Sequence, residues 1–171
     1  MAEEKRKLSP EEIFITPLEA KAEVRGAFES EKEGPSEYLI TWLNRKAYDA
    51  QRTKIARTYL LRVDNQLVGY LAVSSSPLGF DVPDAPRNKS KYPVQGLLLG
   101  RLFISDAFQG CGIGSIALKY TISIATNMNE LIGCAGIVVD SDMNAVTFYE
   151  NHGFIPIEEK GGTVQMFFKL P

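Results

Sequence analysis

A single mixed α/β domain is the fold class this sequence predicts, in the element order β-α-α-β-β-β-α-β-α-β-β, and three observations predict it. Residues 58–63 and 67–75 are β-rich runs joined by Asp64-Asn65-Gln66, which reads as a hairpin. Ile113, Ile116, Ala117, Tyr120, Ile124 and Met128 recur at helical spacing and are followed by a non-alternating apolar run at 134–139, as expected for a parallel strand reached through a helical crossover. Residues 154–157 and 163–170 flank Gly161-Gly162 as a closing hairpin. At 171 residues the chain suits one core, so a single domain over 1–171 is expected.

Taken in order, residues 1–12 mix charges without periodicity around Pro10, and a mobile tail is expected. Ile13-Phe14-Ile15-Thr16 is a short strand whose neighbour Pro17 suits a sheet edge. A short helix is expected over 18–28. After the charged stretch 29–34, Gly34-Pro35 leads to Ser36 as the cap of the next helix. In that helix Leu39, Trp42, Leu43, Ala47 and Ala50 face the sheet, while Asn44, Arg45, Asp49 and Arg52 point away. The outward face and the turn after it gather Arg45, Lys46, Arg52, Lys54 and Arg57, either a solvated face or a binding patch.

Residues 76–93 hold four prolines with Arg87, Lys89 and Lys91, so they read as an irregular loop, functional or merely tolerated. The apolar strand 94–104 contains Gly96 and Gly100, which point to a bulge or a close approach. The helix from 113 is apolar nearly all round, hence expected to be buried. Asp140-Ser141-Asp142 is expected to cap a last helix carrying Asn144, Ala145, Phe148 and Tyr149, which Gly153 stops.

Composition excludes several classes. Apolar residues at 44% and charged residues at 23% match soluble globular chains. The charged start Met1-Ala2-Glu3-Glu4-Lys5-Arg6-Lys7 lacks an apolar h-region, so neither signal peptide nor membrane anchor is expected, and a cytoplasmic location is. Cys111 and Cys134 form no ligand pair, and His152 is the only histidine, so no metal site or Ser-His-Asp triad is expected. A net charge of −2 sets up no global field for nucleic acid, although a local patch can still serve.

The chemistry concentrates where the strand ending at 104 runs into Gly110, Cys111, Gly112, Ile113, Gly114 and Ser115 and then into a helix. Unpaired amides and the positive end of the helix dipole converge there, and a phosphate or pyrophosphate is the expected ligand. A plain turn in which glycine only supplies positive φ is the alternative. No Gly-Lys-Ser/Thr follows, which excludes a Walker loop. Gly112-Ile113-Gly114-Ser115-Ile116-Ala117 formally matches a dinucleotide fingerprint with Asp140 as its ribose acid, but only one complete crossover can be traced.

Gln109, Gly112 and Gly114 fit the Arg/Gln-x-x-Gly-x-Gly/Ala loop, and Ala145-Val146-Thr147-Phe148-Tyr149-Glu150-Asn151-His152-Gly153-Phe154 fits Ala-x-x-x-Tyr-x-x-x-Gly-Phe. On these two motifs the chain resembles the Gcn5-related N-acetyltransferase (GNAT) superfamily. The family's asparagine three residues before that alanine is Asp142 here, with Asn144 displaced by two positions. Trp42-Leu43-Asn44-Arg45-Lys46-Ala47, Arg57-Thr58-Tyr59 and Leu97-Leu98-Leu99-Gly100-Arg101-Leu102 further resemble the toxin-type branch, although Phe28-Glu29-Ser30-Glu31 lacks that branch's Phe-x-Cys-Gly.

The resemblance implies acetyl-coenzyme A (acetyl-CoA) as co-substrate. Its pyrophosphate would lie on Gln109, Gly110, Cys111, Gly112, Ile113, Gly114 and Ser115, its pantetheine along Leu102, Phe103 and Ile104, and Asn144 would add a contact. It also implies a bulge at Gly100 that splays the central strand pair, a strand N–H near Phe103 facing the thioester oxygen, and Tyr149 as general acid. Asp106, Asp140 or a water chain could serve as general base. His152 is expected to be a solvated helix-end residue. The toxin branch implies charged tRNA as acceptor, with phosphate contacts from Arg45, Arg52, Lys54, Arg87, Lys89 and Lys91, a ribbon-helix-helix antitoxin and a homodimer. Two readings stay open beside it: an acetyltransferase for a small amine or a protein amino group, and a coenzyme- or nucleotide-binding module without turnover.

Overall fold

A computed structural model of the chain describes residues 5–28, 36–83 and 92–171. Its strands are β1 (Phe14–Pro17), β2 (Arg57–Val63), β3 (Gln66–Pro77), β4 (Gln95–Ile104), β5 (Gly136–Asp142), β6 (Ile155–Lys160) and β7 (Thr163–Lys169). Its helices are α1 (Glu37–Arg45), α2 (Ala47–Arg52), α3 (Ile113–Ile132) and α4 (Val146–Glu150). The strands form one sheet in the order β1-β2-β3-β4-β5-β7-β6, with β4 and β5 parallel, so the expected mixed α/β class holds.

The expected element string also holds, through two differences that compensate. The helix expected over 18–28 is one 3-10 turn at Lys21–Glu23, because Gly26 and Phe28 take positive φ of 71° and 57° and end any right-handed helix. The single helix expected after Ser36 is two, broken at Lys46 where the backbone opens to φ −122°, ψ −26°. Ser36 makes no side-chain cap, and instead its carbonyl accepts the N–H groups of Leu39 and Ile40. Asn44 does not point into solvent either, since its Oδ1 is buried without a partner among the described residues.

The residues fall into two compact units, Met1–Val73 with Arg101–Ala117 and Ser74–Gly100 with Leu118–Pro171. In the first, Leu18, Leu43, Leu60, Tyr70 and Phe103 form a core with no more than 2% exposure. Each buried leucine there contributes about 1.5–3 kcal/mol. The β2–β3 hairpin turns through Asp64 and Asn65, both at positive φ, as a two-residue connection requires. Gln51 clips this unit together, its amide donating to the Leu18 carbonyl while its Oε1 accepts the Thr58 N–H.

In the second unit Leu78, Val138 and Phe167 are buried, and Phe80 meets the Phe167 ring edge-on at 5.2 Å. β6 and β7 close on Gly161-Gly162 as expected. Residues 140–142 are not a helix cap. They continue β5, with Asp140 opposite Gln165 and Asp142 opposite Thr163, and one 3-10 turn (Met143–Ala145) then leads into α4. α3 is one-sided rather than buried all round: Ile113, Ala117, Leu118, Thr121 and Ala125 are buried, whereas Ile116, Tyr120, Ile124 and Met128 are half-buried and Leu131 is 82% exposed.

β4 has the irregularity its glycines announced. Leu78 N–H bonds Val94 O, and Ser105 N–H bonds Val68 O, so between these bonds β4 uses one residue more than β3. That is a one-residue bulge. Its parallel pairing with β5 is recorded only at Leu97–Ile137 and Leu98–Val138, just ahead of Gly100. Arg87, Lys89 and Lys91 lie outside the described residues.

Candidate functional site

The first unit holds the glycine loop. A 3-10 turn, Asp106–Phe108, follows β4, and Gln109 fastens it by donating from Nε2 to Ile104 O at 3.0 Å and to Asp106 Oδ1 at 2.9 Å. Gln109 therefore shapes the loop through its side chain, and Asp106 is a turn residue engaged in that bond. Gly110 and Gly112 take φ of 82° and 88°, a conformation glycine adopts without strain. Among the described residues, a Cβ on Gly110 would come near only Lys5 Cδ, at 3.9 Å, and one on Gly112 only Lys7 Cδ and Leu8 O, at 3.8 and 4.0 Å. Among the described residues no backbone carbonyl accepts from the amides of Gly110, Gly112, Ile113 or Gly114. Open space, donor amides and the start of a 20-residue helix together fit a diphosphate.

Along β4 the expectation for Phe103 changes. Phe103 O lies where a Cβ on Gly69 would sit, and Ser105 N–H is bonded to Val68, so residues 103 and 105 turn their backbone groups toward β3. By strand alternation the groups of Leu102 and Ile104 turn the other way. The side chain of Phe103 is core, 5.1 Å from the Phe28 ring and 6.2 Å from that of Tyr70. Burial pushes the Tyr70 phenol above its ordinary range, and its hydroxyl donates to Leu39 O at 2.7 Å.

A cleft of about 390 Å³ opens beside α1, lined by Glu37, Tyr38, Thr41, Trp42 and Lys46. The Arg101 guanidinium lies 4.0 Å over the Trp42 ring, and its Nε is buried without a partner among the described residues. Pairing of cation and ring explains how a charge is tolerated there. Arg45, Arg52 and Lys54 are exposed around the ends of α1 and α2, and no ion pair recorded among the described residues includes them.

The second unit holds Tyr149 and Asn144. Tyr149 is 6% exposed, its ring edge-on to Phe148 at 5.2 Å and to Phe154 at 5.3 Å. Asn144 is exposed in the 3-10 turn before α4. Asp140 is exposed and accepts from Gln165 Nε2 at 3.5 Å. His152 is half-buried rather than solvated, with Nδ1–H donating to Phe148 O at 2.7 Å and its ring 4.6 Å from that of Phe148. Among the described residues no cluster could hold a metal ion, and no helix is long and apolar enough to cross a membrane.

Sequence reasoning missed two contributors. Residues 5–12, expected as a mobile tail, instead bring Lys5, Lys7 and Leu8 onto the glycine loop. The Trp42–Arg101 pair joins a helix to a strand far along the chain, which no local spacing signals.

Residues 19–154 match the model of the acetyltransferase (GNAT) family. Among solved structures, the toxin AtaT complexed with acetyl-methionyl-tRNAfMet is 24% identical, with 92% of this chain and 94% of that one covered and a TM-score of 0.74. AtaTR bound with acetyl-CoA is 23% identical, with 93% and 94% covered and a TM-score of 0.74. A tyrosine-to-phenylalanine mutant of KacT is 23% identical, with 91% and 95% covered and a TM-score of 0.73.

Proposed function

This chain belongs to the acetyltransferase (GNAT) family, whose members are acetyl-CoA-dependent N-acetyltransferases, and from that premise we propose that its acceptor is the amino group of an aminoacyl-tRNA. The observation that carries the proposal is the likeness, over nine-tenths of both chains, to a toxin solved with an acetylated aminoacyl-tRNA. The exposed cations Arg45, Arg52 and Lys54 support it, because each is available to a phosphate. The same likeness brings an antitoxin into the proposal, since AtaT is also known bound to its antitoxin AtaR. A ribbon-helix-helix antitoxin and a homodimer complete the reading.

When bound, acetyl-CoA supplies a thioester carbonyl. In the proposed mechanism the amides of Gly110, Gly112, Ile113 and Gly114 receive the diphosphate. A Leu102 or Ile104 N–H, on the face of β4 turned away from β3, donates to the carbonyl oxygen as it gains charge. The resemblance implies a strand N–H near Phe103 for that role, and the two neighbours suit it better than Phe103 itself, whose backbone faces β3. The neutral amine attacks the carbonyl carbon, the carbon–sulfur bond breaks, and the Tyr149 hydroxyl gives its proton to the departing thiolate, while the proton lost by the nitrogen passes to solvent, from which Tyr149 is reprotonated. Tyrosine suits that step because its reference pKa of about 10 lies near that of a thiol.

The test is incubation of the protein with labelled acetyl-CoA and bulk charged tRNA. Label is expected on the aminoacyl group. Transfer to polyamines or peptides but not to charged tRNA at low salt would overturn the acceptor, and an absence of coenzyme binding would overturn the donor.

A further inference from the structure

Residues 5–8 run along the glycine loop as a strap. Lys5 Nζ donates to Asp106 O and Ala107 O, each at 3.0 Å, and Lys7 Nζ donates to Gly110 O at 2.8 Å. Beside them Leu8 N–H bonds Cys111 O at 2.9 Å. Arg6 turns the other way, pairing with Glu12 at 2.6 Å, while Glu12 also accepts the Ser9 N–H at 2.9 Å. The strap is therefore fastened at both ends, with its two lysines on the loop side.

Gly110 and Gly112 lie at positive φ ahead of α3, so the Gly114 amide belongs to the unpaired first turn of that helix. It has no backbone acceptor among the described residues and stays available to an anion. An ammonium carries three N–H donors, so Lys5 keeps one and Lys7 keeps two after these bonds. The stems of both lysines thus pass where a Cβ on Gly110 or Gly112 would first meet another atom, and their charged ends rest on the loop.

We propose that Lys5 and Lys7 belong to the coenzyme's phosphate site, anchored on the loop by its carbonyls and offering their remaining N–H donors to the phosphates. The inference rests on the acetyl-CoA reading above and adds to it a segment that precedes the family-matched region.

Binding of coenzyme A to the full chain, followed by calorimetry over a salt series, tests this against Lys5→Ala, Lys7→Ala and the double variant. The double variant is expected to bind about tenfold more weakly at low salt, with a shallower salt dependence. KM for acetyl-CoA should rise in parallel while kcat changes by less than about twofold, as when an interaction shared equally by ground state and transition state is removed. Lys7→Arg should restore most of the affinity and Lys7→Met should not, which separates charge from packing. Unchanged affinity in the double variant overturns the proposal. Tighter binding also overturns it, by showing that the strap blocks the loop. If the unaltered chain fails to bind coenzyme A, the donor reading falls first and takes the strap's ligand with it.

Discussion

Tyr149 owes its position to neighbours on both sides in sequence. Phe148 and Phe154 hold the ring edge-on, and the chain reversal at Gly153 returns Phe154 N–H to the Tyr149 carbonyl at 3.1 Å. A ring held this way has lost its rotamer freedom before any substrate arrives, which suits a proton donor. Tyr149→Phe is expected to lower kcat by about 10²-fold or more while coenzyme A binds as before. Unchanged kcat in steady-state assays would remove Tyr149 from the mechanism. The family resemblance singled out this residue, and the helix turn and glycine stop around it are local features. Lys5 and Lys7 stayed hidden because their partners are main-chain carbonyls about a hundred positions away, which carry no side-chain signature.

At the scale of elements, the loop from β4 to α3 was legible and the helices before β2 were not. Alternating glycines after an apolar strand constrain the backbone directly, and the structure gives Gly110 and Gly112 the left-handed φ this needs. Gly112→Ala should therefore cost about 1–2 kcal/mol in folding. It should also weaken coenzyme A binding, since relaxing φ reorients the loop amides. Thermal melting and calorimetry check both, and a variant that melts and binds like the unaltered chain would remove the need for glycine there. The helix expected over 18–28 failed for the opposite reason. Its residues suit a helix in isolation, but Leu18 bonds to Thr58 through both backbone and Gln51, and that tertiary tie sets the local path.

For the whole molecule, a net charge of −2 conceals a local imbalance. Arg45, Arg52 and Lys54 stand exposed around the ends of α1 and α2, and a polyanion responds to such a local patch rather than to the sum. Arg52→Glu with Lys54→Glu should weaken binding of charged tRNA. The slope of log K against log salt should fall by about 1–2, roughly one for each phosphate no longer neutralised. Filter binding across a salt series measures both, and a slope that does not change would place the acceptor elsewhere.

The sequence by itself determined the strands, both hairpins, the crossover helix, the glycine loop and the tyrosine motif. The tyrosine motif rests on the family resemblance, and each of the others on periodicity, turn chemistry or short-range spacing, which act between residues close along the chain. Tertiary structure alone decided which face of β4 carries available amides, since only the pairing with β3 assigns Phe103 inward. It also decided that Arg101 stacks on Trp42 and that the charged N-terminal residues lie on the glycine loop. Those outcomes depend on which donor meets which acceptor across large sequence separations, and one residue's shift in strand register reverses them.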